Sequence, residues 1–202
     1  MTNVTFIVLC LLASVLELDT TYAFQTLISR PLLAGPLLGL VTGDVMAGLQ
    51  VGIFVELLFS DISPLGGIIP PSGVVATAIT LLLYMLGIEL YFGFFLGIIA
   101  AILYSFFDAL LRKNRFTWLV FVEKKITRKP TDIKHVIAGT LLLCFCMTFM
   151  FLFVMSWLCA QSMFMVFPFL TPKTHFAFQI AYMAVPWIGL AGLIPTFRFK
   201  TR

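Results

Sequence analysis

Charge is the scarcest commodity in this chain. Asp, Glu, Lys and Arg make up 11% of its 202 residues against 61% hydrophobic ones, and the mean hydropathy is +1.08. A soluble domain cannot cover itself with so little polar surface, which excludes a water-soluble enzyme or binding module and makes lipid the solvent. Lysine is missing before Lys113, and Arg30 is the only cation in the first 111 residues. A phosphate-cradling glycine loop with its lysine therefore cannot be assembled in the glycine-rich half. His135 and His175 are too few and too far apart for a metal centre or for a Ser/His/Asp set. Cys10, Cys144, Cys146 and Cys159 all lie inside apolar runs. Two residues apart, Cys144 and Cys146 point to different sides of a helix, so all four read as small packing residues, with no disulfide framework and no metal site. No cofactor and no catalysis by this chain alone are expected. No Lys or Arg precedes the apolar stretch 4–16, so it reads as a mature first membrane helix and not as a secretory leader.

The few cations that are present are clustered. Arg112, Lys113, Arg115, Lys124, Lys125, Arg128, Lys129 and Lys134 fall in one connecting segment, opposed by Asp108, Glu123 and Asp132, and Arg198, Lys200 and Arg202 sit at the end of the chain. Such clusters mark cytoplasmic segments beside anionic headgroups, not a nucleic-acid surface. Apolar helices are expected over 4–18, 74–87, 92–111, 136–161 and 176–197, with Glu89, Lys173 and His175 on the outer side. The fold class that follows is all-α, a polytopic integral membrane protein with short re-entrant helical hairpins in its N-terminal half. Eleven of fourteen glycines lie between Gly35 and Gly97, and Gly93, Gly97 and Ala101 form one small-residue face. Residues 1–111 thus read as a close-packed transport core and 136–202 as scaffold. Residues 112–135 read as a basic cytoplasmic loop whose Phe116 and Trp118 sit in a short interfacial helix.

Residues 30–73 are apolar overall, yet they hold five prolines, eight glycines and three carboxylates. Gly35, Gly39 and Gly43 form one ladder at four-residue spacing, and Gly48, Gly52 and Glu56 form a second. Each ladder offers side-chain-free positions on one helix face, where another backbone can approach. Each arm, at about 14 residues and ~1.5 Å of rise per residue, reaches roughly 20 Å. That is short of a hydrocarbon core of ~30 Å. Two short helices that enter the membrane without each crossing it are expected. Broken helices at that depth are tolerated where they are buried in protein or line a polar cavity. The stretch 60–73 adds Pro64, Gly66, Gly67, Pro70, Pro71 and Gly73, turn chemistry that interrupts any helix.

Carboxylates in a bilayer point to function. Glu56, on the small-residue face, is the leading candidate to accept hydrogen bonds from sugar hydroxyls or to receive a proton or cation; pairing with Arg30 is the alternative. Asp44 reads as the N-cap of the second arm. Asp61 is either a cap or a ligand. Ser72 either caps the next helix or offers a hydroxyl, and Gln25 and Asp19 complete the polar groups suited to a hydroxyl-rich ligand.

These residues carry a resemblance. Leu27-Ile28-Ser29-Arg30-Pro31-Leu32, Gly35-Pro36-Leu37-Leu38-Gly39-Leu40, Gly43-Asp44, Gly48-Leu49-Gln50-Val51-Gly52, Glu56-Leu57 and Ile69-Pro70-Pro71 resemble the IIC permease component of the mannose/fructose/sorbose-type sugar phosphotransferase system over about residues 17–80. The resemblance implies a plasma-membrane subunit that moves a hexose-type sugar, with a IID membrane partner and cytoplasmic IIA and IIB phosphocarriers, in a homo- or hetero-oligomer. It implies no phosphorylated residue in this chain. Glu56 is the position carried over for sugar contact. Family members commonly carry Asp where this chain has Ser72, and they are longer. Those two departures motivate the alternative of a degenerate, non-transporting paralogue acting as sensor or assembly partner; a small ion-coupled permease that keeps Glu56 and needs no phosphate donor is a further alternative.

Overall fold

The computed structural model describes residues 3–21, 26–60, 69–126 and 133–197. Among the described residues seven α-helices follow one another: α1 Asn3–Thr21, α2 Pro31–Thr42, α3 Val45–Phe59, α4 Gly73–Met85, α5 Leu90–Ile126, α6 Ile133–Val166 and α7 Pro172–Phe197. One 3-10 turn, Phe167–Phe169, joins α6 to α7. Among the described residues, three stretches are long and apolar enough to cross a membrane: Leu90–Lys113, Ile137–Phe169 and Pro172–Ile194. α2, α3 and α4 are shorter apolar helices.

α4 is the hub. Every residue from Val74 to Leu83 is buried, so this helix is hydrophobic all round because it is surrounded by protein. Its buried side chains join α1 (Leu9, Cys10, Ala13), α2 (Ala34, Leu38) and α6 (Leu152, Cys159) in one core. A second cluster joins Val51 and Val55 of α3, Ala76 of α4, Phe94 and Ala101 of α5, and Tyr182 and Val185 of α7. The face formed by Gly93 and Gly97 lets α5 press against Thr80 and Ala76 of α4. α4 ends where Gly87, at φ 87°, takes the left-handed conformation. The N–H groups of Gly87 and Ile88 then donate to the carbonyls of Tyr84 and Leu83, closing the helix end.

The glycine ladders form the seam expected of them. A Cβ on Gly35 would land on the Gly48 carbonyl, one on Gly48 would land on the Gly35 carbonyl, and one on Gly52 would land on the Pro31 carbonyl. A Cβ on Gly39 would come within 3.0 Å of the Val45 Cα. Gly43 differs from its place in the ladder. With φ 83° it ends α2, and a Cβ there would meet nothing within 4 Å. Its part is the left-handed turn between the arms, not the seam.

The basic segment also departs from the expected loop. α5 runs on through Arg112 and Lys113 to Ile126, and α6 begins at Ile133. The short interfacial helix expected around Phe116 and Trp118 is therefore a continuation of α5. The physical reason is an absence: no glycine or proline lies between Gly97 and Pro130 to stop the helix. Of the four free cysteines, Cys10, Cys144 and Cys159 are buried and Cys146 is exposed.

Candidate functional site

The polar groups of the N-terminal half converge where α1 ends and α2 and α4 begin. A cleft of about 520 Å³ opens there, lined by Asp19, Ser29, Arg30, Pro31, Ser72 and Gly73 among others. Three chain breaks build it: the end of α1, the turn before Pro31 and the Pro70-Pro71 step ahead of α4.

Asp19 organises the first edge. Its Oδ1 accepts from the backbone N–H and the hydroxyl of Thr26, both at 3.0 Å, and its Oδ2 accepts from the Ser29 N–H at 3.3 Å. These bonds hold a tight turn in which Leu27 stands at φ 67°, a left-handed conformation that a bulky side chain adopts only when its surroundings impose it. The Leu27 carbonyl accepts from Arg30 N at 3.0 Å, so the turn sets where the Arg30 side chain starts. Asp19 is thus a cleft residue whose carboxylate is already committed to the backbone.

Arg30 Nη1 donates to Glu56 Oε1 at 3.0 Å. The pairing that the sequence left as the alternative for Glu56 is the one the structure contains. Arg30 is 61% exposed and Glu56 27%, so the pair stands at the edge of the protein and not in its core. Glu56 Oε2 is buried and accepts no hydrogen bond from the described residues. Glu56 is not among the residues that line the cleft. Asp44 caps α3 as expected, its Oδ1 accepting from Ala47 N at 2.9 Å. Its Oδ2 also accepts from the Tyr84 hydroxyl at 3.1 Å, tying the hairpin tip to the far end of α4. Gln25 and Asp61 lie outside the described residues.

Ser72 fills the capping role expected of it and also stands at the cleft. Its Oγ accepts from Val75 N at 3.2 Å, capping α4, and the residue lines the cleft. Its hydroxyl also donates to Glu17 Oε2 at 2.6 Å. Glu17 is the residue the sequence reading passed over. It is only 7% exposed and lies within the electrostatic reach of Asp108 and Arg112. Those two form a 2.7 Å ion pair on α5, and Asp108 is 6% exposed. A signal was available. Cys10, Ala13, Ser14 and Glu17 fall on one helical stripe, and three small residues ahead of an acid mark that face as the inward one.

Short helices ending around a polar cleft, beside three helices long enough to cross a bilayer, define a multi-pass α-helical membrane protein of the transporter class. The sequence matches the family described as "PTS system sorbose-specific iic component" over residues 3–200. The chain belongs to this IIC family of the phosphotransferase system, as the resemblance implied, and is a multi-pass protein of the bacterial inner membrane. It is 40% identical over 50 residues to the putative N-acetylgalactosamine permease IIC component 2 of Escherichia coli (strain K12), a match that takes in 25% of this chain and spans 38% of that permease. In fold it is similar to a solved structure titled only as a membrane protein (TM-score 0.80, 19% identity, 99% of this chain and 82% of that one). It is also similar to the mannose transporter ManYZ solved in complex with microcin E492 (TM-score 0.70, 20% identity, 99% of this chain and 82% of that one).

Proposed function

We propose that this chain is the sugar-translocating subunit of a mannose-family phosphotransferase system and that the cleft at the ends of α1, α2 and α4 holds the sugar. One observation carries the reading. In a chain with 11% charged residues, Asp19, Arg30 and Ser72 converge on one space of about 520 Å³, within the ~300–1,000 Å³ usual for small-molecule sites. A neutral, hydroxyl-rich ligand suits this lining. Arg30 and the Ser29 region supply donors, Ser72 supplies an acceptor, and no unpaired charge has to be buried against the ligand.

In this reading α2 and α3 form a hairpin that enters the membrane without crossing it and brings the Arg30 turn to sugar depth. The sugar passes to a cytoplasmic IIB protein, itself charged by IIA, and a IID subunit completes the membrane assembly. The 112–126 extension of α5, with its cations, stands on the cytoplasmic side where such carriers would meet it. Glu56 acts on the sugar through Arg30, by fixing the guanidinium at the cleft wall.

The test is equilibrium binding of radiolabelled sugars to the full chain in nanodiscs, alongside uptake in cells at matched membrane levels. Arg30→Gln and Ser72→Ala should each weaken sugar affinity about tenfold, the range of one or two lost hydrogen bonds. Glu56→Gln should lower uptake less than Arg30→Gln does. Wild-type affinity and uptake in Arg30→Gln would sink the assignment of this cleft.

A further inference from the structure

Ser72 has one hydroxyl hydrogen and two lone pairs. One lone pair takes the Val75 N–H, and the hydrogen goes to Glu17 Oε2 at 2.6 Å, a distance in the ~2.5–2.7 Å range of an O–H bonded to a carboxylate. What remains for the cleft is a single lone pair. We infer that Glu17 is a positioning residue that makes Ser72 an obligate hydrogen-bond acceptor in the sugar site, so that the site selects a ligand carrying a donating hydroxyl at one fixed ring position. This rests on the cleft being the sugar site.

The geometry favours a fixed arrangement over a rotating hydroxyl. Both residues are buried, Glu17 to 7% and Ser72 to 9% exposure, so no bulk water competes for the hydroxyl hydrogen. Glu17 stands beside Thr20 of the next turn of α1 and within electrostatic reach of both Asp108 and Arg112. Ser72 is anchored by its own capping bond to the first turn of α4. A carboxylate standing behind a serine thus sets the direction of its hydrogen without touching the ligand. An unbiased serine would rotate and accept either a donor or an acceptor from the sugar, and discriminate neither. A site that demands a donor rejects the analogue lacking it, because the lone pair is then left unmatched in a buried place.

The experiment uses the full chain in nanodiscs with tritiated mannose, sorbose and N-acetylgalactosamine as probes. For each sugar that binds, its monodeoxyfluoro series is competed against it. Fluorine keeps the size of a hydroxyl and can accept weakly, but it cannot donate. In the wild type, one ring position should show a penalty of about tenfold for fluorine, the range of one lost hydrogen bond. Ser72→Ala should abolish the difference at that position, the parent sugar falling to the level of its analogue. Glu17→Leu should free the Ser72 hydrogen to turn toward the fluorine and reduce the penalty to about twofold. Glu17→Gln, whose amide oxygen still accepts, should preserve it. A full fluorine penalty in Glu17→Leu, with the parent sugar still bound, overturns the inference and leaves the sugar site standing. So does the absence of any Ser72-dependent position in the wild type. If Glu17→Leu does not fold, Ser72→Ala decides alone, and a penalty that survives it overturns the inference. Failure of every probe to bind the wild type overturns both the sugar reading and the inference built on it.

Discussion

Replacing Gly48 by alanine adds one methyl group at the place where α2 and α3 come closest. The new Cβ would fall on the Gly35 carbonyl oxygen and stand 2.8 Å from the Gly39 Cα. Both obstacles are backbone, so no side chain can swing aside, and the helices must part by on the order of 1 Å to restore ordinary contact distances. A radial gap of ~0.5–1 Å forfeits a quarter to a half of each dispersion well along the seam, and overpacking of this kind costs about 1–3 kcal/mol. Against that, alanine is better than glycine in a helix by ~1 kcal/mol. The net expectation is a loss of up to about 2 kcal/mol, or a fall of up to roughly 8 °C in thermal midpoint for a chain of this size. Gly139 in α6 is the control, because a Cβ there meets nothing within 4 Å. Gly139→Ala should therefore raise stability by up to ~1 kcal/mol through propensity alone. The assay is thermal unfolding of both purified variants in the same detergent. Gly48→Ala exceeding the wild type in midpoint, as Gly139→Ala is expected to, would refute the reading of the ladders as a backbone-to-backbone seam.

Two further outcomes follow from side chains that serve the backbone. Asp44→Ala removes both the α3 cap and the acceptor for Tyr84, and should cost ~0.5–2 kcal/mol for the cap plus about 1 kcal/mol for the hydroxyl bond. Tyr84→Phe should cost only the second part, which thermal unfolding of the two variants will separate; equal losses would count against the double role of Asp44. Asp19→Ala strips the acceptor from Thr26 and Ser29 and releases the turn that holds Leu27 in the left-handed region. Sugar affinity should fall at least fivefold although no ligand bond is lost directly, and unchanged affinity would show that Arg30 is placed by something else.

What could be read in advance was whatever the chain writes locally. The four-residue glycine spacing specifies a face, and Gly35, Gly39, Gly48 and Gly52 meet across it. Asp44 and Ser72 each stand immediately before an apolar helix after a break, and each caps that helix. Helix boundaries in the apolar half were legible for the same reason. The long-range pairings were not. Glu17 and Ser72 are 55 residues apart, and nothing in either neighbourhood names the other. The continuation of α5 through Arg112 was hidden by composition: cations drew attention to topology, while the missing glycine and proline, the feature that governs whether a helix stops, left no positive mark. Glu56 shows the limit from another side. A carboxylate on a small-residue face looks the same in sequence whether or not an arginine 26 residues earlier pairs with it.

The interlocked glycines also fix how the α2–α3 hairpin can travel. Gly35, Gly48 and Gly52 each sit against a carbonyl of the other arm, so sliding one arm past the other drives backbone against backbone. The tip is fastened to α4 through Asp44 and Tyr84, and the open end is bridged by Arg30 and Glu56. Shear within the pair is blocked. Any motion that carries the Arg30 turn must therefore carry both arms together, as one stiff unit.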